Sequence, residues 1–144
     1  MRRVTPADLP LVEAFLAEAD LTVAGLSTAQ LWMEQDAAGT ITSTTGFEMV
    51  GTHALIRSVA VRPDLRGSGL GLRNAAFAIV EAQLAGATTA WLFSRRSGPF
   101  WQKLGFWRAP TEELVDALGS TAQVQLFLET GQLEREVAWR RLLG

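Results

Sequence analysis

The sequence predicts a single α/β domain, spanning 1–144, in which an antiparallel meander feeds a βαβ unit. Three observations carry that prediction. Strand-like segments follow one another between turn signals over 30–61. The apolar spacing then becomes helical over 70–84. At the change of period stands a glycine-rich loop, Arg66-Gly67-Ser68-Gly69-Leu70-Gly71. The length, 144 residues, suits one domain and no repeat, linker or low-complexity segment divides it.

The elements follow in order. Val4-Thr5-Pro6-Ala7-Asp8 reads as a short strand ending in a helix start, with Thr5 as cap, Pro6 in the first turn and Asp8 at the positive helix end. Leu9, Val12, Leu16 and Ala19 keep helical spacing. Strands are expected over 30–35, 40–49 and 54–61, separated by turns at 36–39 and 50–53 and ended by Pro63. Leu72, Ala75, Ala76, Ile79, Val80 and Leu84 form a helical stripe before Gly86. A strand over 88–93 completes the βαβ unit, so the sheet is mixed. Beyond it come a short helix over 100–104, a strand over 106–109, a helix over 111–118 and a strand over 123–128. The tail, 132–143, is open between a helix, from Leu133, Val137 and Leu142, and a hairpin turning at Thr130-Gly131.

Composition removes whole classes of chemistry. There are no cysteines, so disulfides, thiolate metal sites and a cysteine nucleophile are excluded. The one histidine, His53, excludes a multi-histidine metal site, and no metal is expected. There are five tryptophans and no tyrosine, so no phenol can serve as an acid. The net charge is −2 with no basic run longer than two residues, which argues against nucleic acid. No apolar run approaches the ~20 residues of a membrane span, and the start leads into a charged helix, not an apolar signal core. These features predict a soluble cytoplasmic protein.

The glycine loop lies between a strand and a helix. Glycines at alternate positions let the backbone approach a ligand closely. Amides of the helix's first turn, with the positive dipole end behind them, would suit a phosphate or diphosphate, and Arg62, Arg66 and Arg73 surround the loop. A P-loop is excluded because Gly-Lys-Ser/Thr is missing. The dinucleotide fingerprint fails at its sixth position, which is Leu72 counting from Gly67. A glycine-rich turn without a ligand is the alternative.

Arg66-Gly67-Ser68-Gly69-Leu70-Gly71 resembles the Arg/Gln-x-x-Gly-x-Gly/Ala signature of the GCN5-related N-acetyltransferase superfamily. Ser58-Val59-Ala60-Val61-Arg62-Pro63 before it is similar to that superfamily's fourth strand. Phe100-Trp101-Gln102-Lys103-Leu104-Gly105-Phe106 resembles its late block. The likeness covers 1–128. Gly46-Phe47-Glu48, Leu55-Ile56-Arg57-Ser58 and Phe100 with Gly105-Phe106 look like the small bacterial arsenic-resistance group within it. The resemblance implies acetyl-CoA as cosubstrate, in a cleft where strands 54–61 and 88–93 splay apart. It implies a diphosphate held by Arg66, Gly67, Ser68, Gly69, Leu70, Gly71 and Leu72, a pantetheine arm along Val59 and Val61, and a thioester polarised by an N–H near Val59. A small amine would then attack directly, without a covalent enzyme intermediate.

Direct attack needs a deprotonated amine. Glu48 is a candidate base or ammonium-binding group, or else a structural partner of Arg57. Arg57, a charge among core residues, would bind a substrate carboxylate or oxyanion, or else pair with Glu48. His53 is expected as a solvated turn residue. The superfamily's acid, a tyrosine, corresponds to Trp101, whose indole cannot protonate a thiolate. Its asparagine corresponds to Ser94, which would hold the pantetheine or else make a local backbone bond. Trp32, on a strand edge, Trp91 and Trp107 read as packing residues, and Trp139 as a cover for a core edge or a dimer contact. The competing readings are an acetyltransferase, a homodimer among its states, a CoA-binding module without catalysis, and a fold with no cofactor.

Overall fold

The structure, a computed structural model, describes residues 1–144. Seven strands form one mixed sheet. They are β1 (Arg2–Arg3), β2 (Gln30–Gln35), β3 (Ile41–Val50), β4 (His53–Val61), β5 (Thr89–Phe93), β6 (Trp107–Ala109) and β7 (Ala138–Leu142), in the order β1-β2-β3-β4-β5-β7-β6. Five α-helices accompany them: α1 (Leu9–Glu18), α2 (Leu70–Leu84), α3 (Gly98–Lys103), α4 (Thr111–Leu118) and α5 (Ala122–Thr130). The chain divides into two units, Met1–Glu48 with Ile56–Ala78, and Met49–Leu55 with Ile79–Gly144. No helix is long and apolar enough to cross a membrane.

In the first unit, Asp8 accepts from both the Thr5 N–H and the Thr5 hydroxyl at 2.8 Å, which starts the turn leading into α1. The opening strand is Arg2–Arg3, two residues earlier than expected, opposite Met33 and Trp32. Val12 and Leu16 of α1 are fully buried with Leu31, Met33, Ile41 and Ala60. β2 and β3 are antiparallel, with Trp32 opposite Thr45 and Glu34 opposite Ser43. Trp32 stacks on Phe47 and meets Phe77 of α2 edge-on, so one face of these strands carries the helix.

In the second unit, β4 and β5 are parallel over three pairs that end at Leu55 and Trp91. Leu55 and Trp91 pack with Leu114, Leu118, Val124 and Ala138. The segment expected as a strand over 123–128 is α5. Its Gln-Val-Gln-Leu start alternates like a strand. The Thr121 side chain nevertheless accepts from the Val124 N–H, and Val124 and Phe127, three apart, are the buried pair. Gly131, at φ +74°, ends the helix. The tail is neither helix nor hairpin. After a short 3-10 turn at Gln132–Arg135, β7 inserts between β5 and β6 and pairs antiparallel with both. Its register comes from distant strands, which local periodicity cannot reveal.

Three single residues also differ from expectation. His53 opens β4 half-buried, and its Nδ1 accepts from Trp91 Nε1 at 3.0 Å, so it is not a solvated turn residue. Trp107 is 74% exposed on the edge strand β6, so it is not a core packing residue. Trp32 is a packing residue, but it lies on β2, inside the sheet.

Candidate active site

The glycine loop is built by a chain of local bonds. β4 ends at Val61, and Arg62 N–H donates to Thr42 O at 2.8 Å. A 3-10 turn over Pro63–Leu65 follows, and the Ser68 hydroxyl donates back to Leu65 O at 2.6 Å. Gly67 and Gly69 stand at φ +83° and +87°, a region that disfavours side chains. A Cβ at either glycine would meet no atom within 4 Å, so the loop is open there. α2 starts at Leu70, and the N–H groups of a helix's first turn have no acceptor within the helix. A cavity of about 360 Å³ lies here, lined by Glu34, Thr42, Leu65, Ser68, Gly69, Leu70 and Arg73. Arg73 pairs with Glu34 at its rim. Of the other flanking cations, Arg62 binds Asp36 at 3.0 Å and Asp64 at 2.7 Å, and Arg66 Nε donates to Val61 O.

Glu48 and Arg57 meet in the same unit. Arg57 Nη1 donates to Glu48 Oε2 at 3.0 Å, and both side chains are nearly enclosed. Burial pulls the guanidinium below its ordinary value, while the Glu48 charge opposes that shift. Ser58 next to it has φ +60°, a left-handed conformation rare for a residue with a side chain and unexpected within a strand. Its carbonyl accepts from the Thr44 hydroxyl at 2.7 Å and its hydroxyl from Arg57 Nε at 3.2 Å. These bonds hold the backbone twist just before Val59. Val59 and Val61 are half-buried and alternate with Ala60, which sits in the core.

Ser94 belongs to the second unit. Its hydroxyl accepts from Ser97 N–H at 3.1 Å, and its carbonyl accepts from Trp139 Nε1 at 2.8 Å. Trp139 covers a core edge, 6% exposed. Trp101 is buried between Phe100 and Phe106 in edge-on contacts.

Two features had no readable signal. The left-handed turn at Ser58 sits in an ordinary apolar strand sequence. The carbonyls of Thr22 and Ala24, which accept from Arg57, belong to a segment without a motif. A third had only part of its role in view. Thr42-Ser43-Thr44-Thr45 reads as strand-forming, yet all four are buried, and Thr45 Oγ1 donates to the Asn74 carbonyl of α2 at 2.8 Å.

The loop, the strand before it and the block around Gly105 belong to one pattern. A model of the acetyltransferase (GNAT) family matches residues 6–106. The chain belongs to the GNAT acetyltransferase family. It is therefore an N-acetyltransferase, with acetyl-CoA as its cosubstrate. No curated protein matches the sequence. Among solved structures, GNAT folds recur. One is Rv2747 from Mycobacterium tuberculosis in complex with CoA and NLQ, 16% identical with a TM-score of 0.77, covering 99% of this chain and 98% of that one. Another is N-acetylglutamate synthase from Neisseria gonorrhoeae complexed with coenzyme A and N-acetyl-glutamate, at 15% identity and a TM-score of 0.74; all of this chain aligns with 34% of that one. A GNAT acetyltransferase from Staphylococcus aureus Mu50 gives 11% and 0.73, over 99% of this chain and 97% of that one. At these identities the likeness establishes the fold alone.

Proposed function

We propose that this GNAT enzyme acetylates the primary amine of a small molecule by direct attack on acetyl-CoA. The observation that supports it is the open loop: two left-handed glycines with free space where a Cβ would stand, at the start of a helix and beside a cavity. Such a cradle fits a diphosphate. Acetyl-CoA supplies the activated thioester. Backbone groups of Arg66, Gly67, Ser68, Gly69, Leu70, Gly71 and Leu72 hold the diphosphate. Those of Val59 and Val61 hold the pantetheine arm. The N–H near Val59, re-aimed by the Ser58 twist, polarises the carbonyl.

Glu48 takes the amine's proton, directly or through one water, and Arg57 holds the Glu48 carboxylate in place through the 3.0 Å ion pair. Trp101 cannot act as the acid, so the leaving thiolate is protonated from solvent. In this reading 1–144 works as one catalytic domain in the cytoplasm, on a small molecule and not on nucleic acid or a membrane. A homodimer is part of the proposal and sedimentation decides it.

The acceptor is tested by thiol release from acetyl-CoA against amino acids, amino-phosphonates and arsenic-containing amino acids. The last are included because the 46–48 and 55–58 segments resemble the arsenic-resistance group. Turnover is expected on at least one of these amines. Bound acetyl-CoA with no turnover on any amine overturns the reading. Gly69→Val puts a β-branched residue at φ +87° in the loop. By calorimetry it should weaken acetyl-CoA binding by about tenfold or more, with a cooperative thermal unfolding transition as the control for folding.

A further inference from the structure

Arg57 does more than neutralise Glu48. The residue is 4% exposed, and its guanidinium donates to four oxygens. Nε reaches Ser58 Oγ at 3.2 Å and Nη1 reaches Glu48 Oε2 at 3.0 Å. Nη1 also reaches Ala24 O at 2.6 Å, and Nη2 reaches Thr22 O at 3.1 Å. The last two acceptors are backbone carbonyls more than thirty residues away in sequence. They lie in a stretch, 19–29, that is neither helix nor strand. It turns through positive φ at Asp20 (+58°) and Gly25 (+66°). Such a segment gets no ladder of its own, so its carbonyls need partners from elsewhere. Within 22–24, the Thr22 hydroxyl accepts from the Ala24 N–H at 3.3 Å. Farther along, Leu26 is anchored in the apolar core.

We infer that Arg57 is a positioning residue, which seats the 22–24 segment beside Glu48 and so shapes the approach of the amine. The inference rests on the reading of Glu48 as the base. One guanidinium holds both the Glu48 carboxylate and the two loop carbonyls. An amine that reaches Glu48 therefore meets 22–24 at close range. With four acceptors already on five N–H groups, the guanidinium has little left for a substrate carboxylate. A planar fork suits this task; an ammonium has three donors around one nitrogen and cannot span the same acceptors. The two carbonyl bonds do not depend on the charge of Glu48. The seat therefore persists when the base takes a proton.

The test combines hydrogen–deuterium exchange of the 19–29 peptide with steady-state kinetics on the best acceptor of the amine panel. Arg57→Lys keeps a cation beside Glu48, so it preserves the fold better than Arg57→Ala. In Arg57→Lys, exchange in 19–29 should rise about tenfold. The KM for the amine should rise by a similar factor, about tenfold, with the KM for acetyl-CoA unchanged. Glu48→Gln retains an oxygen acceptor but no charge. It should abolish most turnover while exchange in 19–29 stays as in the parent. Parental exchange and parental amine KM in Arg57→Lys would overturn the inference. So would Glu48→Gln freeing the segment as much as Arg57→Lys does. Faster exchange in Arg57→Lys, with full turnover in Glu48→Gln, would leave the seat standing and remove Glu48 as the base.

Discussion

Of the ten buried polar or charged residues, eight lie in the first unit and two in the second. The eight are Thr42, Ser43, Thr44, Thr45, Glu48, Arg57, Ser58 and Asn74; the two are Thr89 and Thr121. The second unit packs Leu55, Trp91, Leu114, Leu118 and Val124 in the ordinary way. Hydrophobic burial stabilises that unit with little else to satisfy. The first unit encloses a charge pair, a strand residue in a left-handed conformation and hydroxyls on successive residues. Each costs stability unless a specific partner compensates. Groups of that kind persist where they serve chemistry, and the first unit is also where the glycine loop and Glu48 lie. The comparison separates a scaffold from a worked site.

Three changes break or sharpen this contrast. The largest effect is expected in the scaffold. Leu118 is fully buried, and Leu118→Ala should lower unfolding stability by about 2–5 kcal/mol in a denaturant titration. A much smaller loss would mean that the second unit collapses around the cavity. Next comes a change of opposite sign in the first unit. Asn74 is fully buried, and neither its side-chain oxygen nor its nitrogen has a hydrogen-bond partner. Asn74→Leu, close in shape, should raise stability by about 1 kcal/mol, read as a higher denaturant midpoint. A loss instead would show that the polar layer is satisfied in solution. The smallest effect is at the surface of the first unit. The Asp8 carboxyl is held well below the usual carboxylate range, chiefly by the Arg2 guanidinium and then by the Thr5 N–H and hydroxyl. A depressed carboxylate stabilises the fold fully above its unfolded value, about 3.9, and that contribution fades as the pH falls. Asp8→Asn should therefore flatten the loss of thermal midpoint below about pH 4 and leave the acid end shallower.

The meander, α2 and the βαβ crossover were legible because their signals are local: Asp36-Ala37-Ala38-Gly39 marks a turn, and the 70–84 stripe repeats with a helical period. The glycine loop was legible for the same reason. The region after 120 was not. Gln123 to Leu128 carries both an alternation and a three-residue spacing, and only the Thr121 cap and the packing of Val124 and Phe127 decide between them. The candidate site was half legible. Glu48 and Arg57 stood out as charges in apolar strands, and they do meet. The use of Arg57 by Thr22 and Ala24 was hidden, because any residue can offer a carbonyl.

The order of the last strands has a consequence for how the protein is made. β6 is complete at residue 109, but its sheet neighbour, β7, ends only at Leu142. β5 likewise waits for β7 on that side. On the ribosome, both strands emerge with open edges until the codon for residue 142 has been read. A premature stop in the 130s would remove β7 and leave two unpaired edges beside the exposed Trp107, a template for aggregation. A chain that stops before Ala138 should therefore yield inclusion bodies, not a shortened enzyme.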